Sequence, residues 1–145
     1  MRTSITSKQI QLIRQSFSLV SPTDDAVPRA LYERMFEIEP RLRAMFPPCL
    51  KEQGRKLMRM LGTAIGMLDR PDDLLLTLHT LGRSHSSCGV RDEHYEPVGK
   101  ALLAALEQGL GWAFTPEVRE AWIAFYRIVA ATMQNGAKLE LTAET

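Results

Sequence analysis

The sequence predicts an all-α protein, on three observations. Apolar residues recur at three- and four-residue spacing along nearly the whole chain, the period of one buried helical face. No β-hairpin signal and no internal repeat interrupts that pattern. Prolines, glycines and capping residues divide it into six helix-sized segments. At 145 residues the chain is expected to form a single domain over 1–145, with its core from about 7 to 135 and a polar tail over 137–145.

The segments follow in order. Thr6 or Ser7 caps a first helix on which Ile10, Ile13, Phe17 and Val20 share a face, and Ser21-Pro22-Thr23 breaks it. Asp24 or Asp25 caps a second, with Pro28 in the first turn, where a missing N–H costs little, and Leu31, Met35 and Ile38 as its apolar stripe. Pro40 opens a short turn, and Pro47-Pro48 closes it after Phe46. A long helix over about Lys51–Leu68 turns Leu57, Met60 or Leu61, Ala64 and Leu68 inward. Gly54, Gly62 and Gly66 lie in it, each costing up to about 1 kcal/mol against alanine, so a close helix neighbour is expected there. Arg70-Pro71-Asp72-Asp73 starts the next helix with acids at the positive end of its dipole, and it runs to about His85. A fifth carries Tyr95, Val98, Leu102, Leu106 and Gly109, with Pro97 near its start. The sixth has Thr115 as N-cap and Pro116 at the first helical position, and Asn135-Gly136 is expected to end it.

Composition removes several function classes. With 45% hydrophobic and 24% charged residues the chain is globular rather than disordered. Eighteen basic against 17 acidic residues leave a net charge of +1, so no basic face is forced and nucleic acid is not an expected partner. Cys49 and Cys88 form no C-x-x-C pair, which excludes zinc-ribbon and thioredoxin-type sites and leaves two ordinary loop thiols. No apolar run reaches membrane-spanning length and Met1–Ser7 has no signal-peptide core, so the cytoplasm is the expected location, with no membrane partner. Phosphate-binding, dinucleotide-binding, nucleophile-elbow and zinc-protease motifs are all missing from the sequence.

Three histidines remain, His79, His85 and His94, and their spacing does not put them on one helical face. His85 shares a face with Leu78 and Leu81, so it points where apolar side chains point. A lone histidine there is ordinarily a core residue satisfied by a backbone carbonyl. Tyr32, Tyr95 and Tyr126 lie beside or on inner faces as well. Several such groups converging with a histidine indicate a pocket with something polar at its centre.

The order of short strings along the chain resembles the globins, in particular the single-domain bacterial globins related to the haem domain of flavohaemoglobins. The strings are Leu31-Tyr32-Glu33-Arg34-Met35-Phe36, Leu42-Arg43-Ala44-Met45-Phe46, Gln53-Gly54-Arg55-Lys56-Leu57, Leu81-Gly82-Arg83-Ser84-His85 and His94-Tyr95-Glu96-Pro97-Val98-Gly99. Trp122 and Tyr126 complete the set, which covers about Ser7 to Met133. The resemblance implies a three-on-three helical sandwich around one b-type haem, with His85 as the proximal iron ligand and Phe46 wedged against the haem plane. It implies Tyr32, Gln53 and Leu57 on the distal side and Tyr95 in a hydrogen-bonded group behind the proximal histidine. Val90, Val98, Leu102 and Tyr126 become pocket walls. Lys51, Arg55 and Lys56 are candidates for the haem propionates, or else a solvated face. One position departs: Ala137 stands where the family has a glutamate, with Glu140 nearby.

The physical chemistry agrees with that resemblance. A helix end offers carbonyls without intrahelical partners. Leu81 C=O, four residues before His85, is placed to accept Nδ1–H and leave Nε2 free for iron. The Tyr32 hydroxyl and the Gln53 amide can both donate to the partly negative outer atom of a polarised diatomic ligand. Two donors predict tight, slowly released oxygen. The expected function is reversible binding of oxygen, nitric oxide or another diatomic ligand, with nitric oxide dioxygenation, served by a separate reductase, as the chemistry this pocket favours. A globin-fold sensor or interaction module without haem is the alternative.

Overall fold

The computed structural model describes residues 5–21 and 25–144, with side chains as far as Gly136. Six α-helices form two layers: α1 (Ser7–Val20), α3 (Lys51–Gly66) and α4 (Pro71–Ser87) lie over α2 (Ala26–Ile38), α5 (Tyr95–Leu110) and α6 (Pro116–Glu144). Short 3-10 turns over Pro40–Met45, Asp92–His94 and Gly111–Ala113 join them, and no strand occurs among the described residues. The most extensive interfaces are α4 on α6 and α2 on α5.

Local chemistry sets most boundaries. Thr6 and Gln9 form a reciprocal cap on α1: each side chain accepts the other's backbone N–H at 3.0 Å. Thr115 Oγ1 accepts from Val118 N at 3.2 Å and opens α6. Asp25 stands at the start of α2 but its side chain makes no capping bond, and Pro22–Asp24 lie outside the described residues. The α3 helix stops short of the expected Leu68: its end tightens into i→i+3 bonds, Met67 N–H to the Ala64 carbonyl at 3.1 Å and Leu68 N–H to that of Ile65 at 3.3 Å, and Arg14 on α1 donates to the Ile65 carbonyl at 3.2 Å and to Asp69 at 3.2 Å. Gly111 takes φ +59, the left-handed turn that glycine tolerates, between α5 and the following 3-10 turn. Ile38, expected on the inner stripe of α2, is 39% exposed at the last turn of that helix.

Asn135-Gly136 does not end the last helix, which continues to Glu144. A Cβ on Gly136 would run into the carbonyl oxygen of His79 and sit 2.8 Å from its Cα. The glycine is there so that α6 can lie against the backbone of α4. Gly82 does the same from the other side, with a Cβ there meeting the Met133 backbone. Of the three glycines in α3, only Gly54 is tightly packed: a Cβ there would lie 2.9 Å from Pro28 Cβ, whereas one on Gly62 would make ordinary contact with Phe17 at 3.7 Å and one on Gly66 would meet nothing within 4 Å.

The core holds Trp122, Phe125, Ile13, Met35, Leu78 and Leu106. One polar pair lies inside it: Trp122 Nε1 donates to Ser16 Oγ at 2.8 Å, and Ser16 Oγ donates to the Leu12 carbonyl at 2.7 Å. Removing Ser16 strands a buried indole N–H. Ser16→Ala is therefore expected to lower the unfolding free energy by about 1–3 kcal/mol. Adding Trp122→Phe should cost less than the sum of the two single changes, which denaturant melts of the three variants will measure. Among the described residues no helix is long and apolar enough to cross a membrane.

Candidate functional site

His85 sits in the last turn of α4, half-buried, with Nδ1 3.0 Å from the Leu81 carbonyl oxygen. A carbonyl only accepts, so Nδ1 carries the proton and Nε2 keeps its lone pair, with no partner among the described residues. The other histidines differ. His94 Nδ1 accepts the Arg91 N–H at 2.9 Å, which in the neutral ring puts the proton on Nε2. His79 lies at the α4–α6 crossing, where its backbone faces Gly136.

Tyr32, Phe36 and Phe46 form one aromatic group where α2 meets the Pro40–Met45 turn. The Tyr32 and Phe46 ring centres are 5.5 Å apart, Phe36 and Phe46 5.6 Å, and Tyr32 and Phe36 6.2 Å. Burial pushes the Tyr32 hydroxyl up to about 12, so it stays a protonated donor at neutral pH. Among the described residues neither that hydroxyl nor the half-buried Gln53 side chain has a hydrogen-bond partner.

A second group lies between α5 and α6. Tyr126 Oη donates to the Tyr95 carbonyl at 2.6 Å, and its ring packs on Gly99, where a Cβ would lie 2.6 Å from Cε2. Burial raises the Tyr126 hydroxyl well above its ordinary range; Tyr95 is raised by burial and then by the negative charge of Asp92. The sequence gives no warning of the Tyr126–Tyr95 bond, because the partners are 31 positions apart. The Tyr95 hydroxyl makes no bond to His85, whose ring partner is Leu81. The side chains of Ala137 and Glu140 lie outside the described residues.

Phe46, Leu57, Leu81, Tyr95, Val98 and Tyr126 all pack against the core yet remain only partly covered. Lys51, Arg55 and Lys56 are exposed, and Arg55 pairs with Glu52 at 3.4 Å. Cys49 and Cys88 are exposed free thiols. A cleft of about 320 Å³ opens beside the aromatic group, lined by Pro28, Arg29, Tyr32, Phe36, Leu50 and Gly54 among others; His85 does not line it.

An imidazole whose Nε2 is unpaired among the described residues, half-covered apolar side chains on four helices, and two donors likewise unpaired there suit a flat apolar macrocycle with a metal at its centre. The class is that of small helical haem proteins. Residues 29–133 match the Globin family model, and the chain belongs to the globin family, with haem as its cofactor. It is 32% identical to a neuroglobin of Tetraodon nigroviridis, over 91% of this chain and 92% of that protein. It is 31% identical to a flavohemoprotein of Rhodopirellula baltica over 87% of this chain, but spans only 32% of the flavohemoprotein's length. An engineered carbene transferase from Rhodothermus marinus, named as a candidate nitric oxide dioxygenase, superposes with a TM-score of 0.84 at 24% identity, covering 97% of this chain and 98% of that one. Binding of ligands by the haem follows from the family.

Proposed function

We propose that this protein holds diatomic gases tightly and converts nitric oxide to nitrate, using electrons from a separate reductase. The observation that carries the reading is the Tyr32 hydroxyl: protonated, shielded, and without a partner among the described residues. Ferrous haem supplies reversible binding of a diatomic gas. His85 Nε2 would be the protein ligand to the iron, and the Leu81 carbonyl fixes its ring tautomer. Phe46 and Leu57, partly buried against the core, would pack against the haem and exclude water. Tyr32 and Gln53 donate hydrogen bonds toward a ligand that gains negative charge, which slows its escape. The overall balance is one nitric oxide, one dioxygen and one electron to one nitrate ion. No flavin or nicotinamide motif occurs in the 145 residues, so the electron comes from outside them. The flavohemoprotein match supports a reductase as its source.

Tyr32→Phe keeps the ring and its contacts with Phe36 and Phe46 while removing the donor. Oxygen release measured by stopped flow is expected to accelerate about tenfold, the equivalent of 1.4 kcal/mol in the bound state. Gln53→Leu should do less, because a flexible amide loses more entropy when held. Since the hydroxyl ionises only near 12, the wild-type release rate should stay level from neutral pH to about pH 10. Unchanged release in Tyr32→Phe would show that the hydroxyl does not face the ligand. Mixing air-equilibrated ferrous protein with one equivalent of nitric oxide should yield one nitrate per haem; nitrite or unreacted nitric oxide would remove the dioxygenase reading.

A further inference from the structure

We infer that Arg43 is a positioning residue for the distal wall of the haem site, acting through the turn that carries Phe46. Phe46 follows the Pro40–Met45 turn in extended conformation, tied to it by its N–H, which donates to the Arg43 carbonyl at 3.2 Å. Arg43 is half-buried, whereas Arg41 in the same turn is exposed.

The residues after Phe46 are Pro47 and Pro48, neither of which has an N–H to contribute to a turn. The Arg43 guanidinium provides the donors instead. Nη1 donates to the Pro47 carbonyl at 3.0 Å and more weakly to Phe46 at 3.4 Å, and Nη2 donates to Pro48 at 2.9 Å. Three consecutive carbonyls are gathered by one planar cation. The same guanidinium lies 5.3 Å from the centre of the Phe36 ring. Phe36 in turn meets Phe46 edge-on at 5.6 Å, and Phe46 meets Tyr32 at 5.5 Å. Arg43 therefore grips both ends of the Phe46 residue, its backbone through the carbonyls and its ring through Phe36. A lysine keeps the charge but loses the planar fork that holds the carbonyls. A methionine keeps only the apolar stem.

The haem readouts of this inference rest on the site reading above, and the experiment separates the two. Arg43→Lys and Arg43→Met are compared with Arg41→Lys and with wild type. In the haem-free proteins, amide exchange followed by NMR should be about tenfold faster at Phe46, whose N–H bonds to the Arg43 carbonyl, and at Gly54, whose N–H bonds to Leu50. In the haem-loaded proteins, haem transfer to an excess of an apoglobin acceptor should be about tenfold faster. The carbon monoxide stretching band, which reports the polarity around the ligand, should broaden or split. Arg41→Lys should match wild type in all three. Faster exchange with unchanged haem loss and an unchanged band would make Arg43 a loop anchor alone and overturn the inference. Unchanged exchange would overturn it whatever the haem readouts show. Haem retention in His85→Ala would instead sink the site reading, while exchange at Phe46 and Gly54 still decides whether Arg43 holds the turn.

Discussion

His85→Ala is expected to abolish stable haem binding, leaving a folded protein that purifies without the intense visible absorption of haem. Haem affinity should fall by at least about a hundredfold, since loss of a mere outer-shell partner of a metal ligand already costs about 10–100-fold. His79→Ala and His94→Ala should retain haem. The distinction is one of tautomers. Leu81 accepts the Nδ1 proton of His85 and leaves Nε2 a lone pair, while the Arg91 N–H takes the Nδ1 lone pair of His94. Titration of each haem-free variant with haem, read at the Soret band, checks the prediction. Loss in His94→Ala with retention in His85→Ala would place the ligand on the wrong helix.

Gly82→Ala carries the largest expected effect on the fold. Helix propensity alone favours the change by about 1 kcal/mol. The packing opposes it: the new Cβ would meet the Met133 carbonyl and lie 2.7 Å from the Met133 Cα. Both neighbours are backbone, which cannot rotate away. The two helices must separate along their largest shared interface, and overpacking of this kind costs about 1–3 kcal/mol or more. A net loss of up to about 2 kcal/mol is expected in urea unfolding of the haem-free protein. Because Gly82 lies one turn before His85, haem affinity should fall too. Gly66→Ala is the control: nothing lies within 4 Å, so propensity acts alone and stability should rise by up to about 1 kcal/mol. If Gly82→Ala stabilises like Gly66→Ala, the α4–α6 contact is not as close as described.

What the sequence determined by itself was local. The Thr6 and Thr115 caps, the proline starts of α4 and α6, and the His85–Leu81 bond all join groups no more than four positions apart, where helix geometry alone dictates the meeting. The resemblance then drew attention to Tyr32, Gln53 and Phe46 through the order of short strings. Tertiary structure decided the rest. Gly136 after Asn135 reads as a helix stop because glycine favours chain ends, yet here it lets α6 lie on the His79 backbone. Ser16 and Trp122 meet across 106 positions, and Tyr126 reaches the Tyr95 carbonyl across 31. Arg43, one of 18 basic residues, is singled out only when the turn folds it over Phe36. The reason is common to all of these: a residue's intrinsic preference fixes its own dihedrals and nearest hydrogen bonds, while the partner it packs against is chosen by how the helices cross.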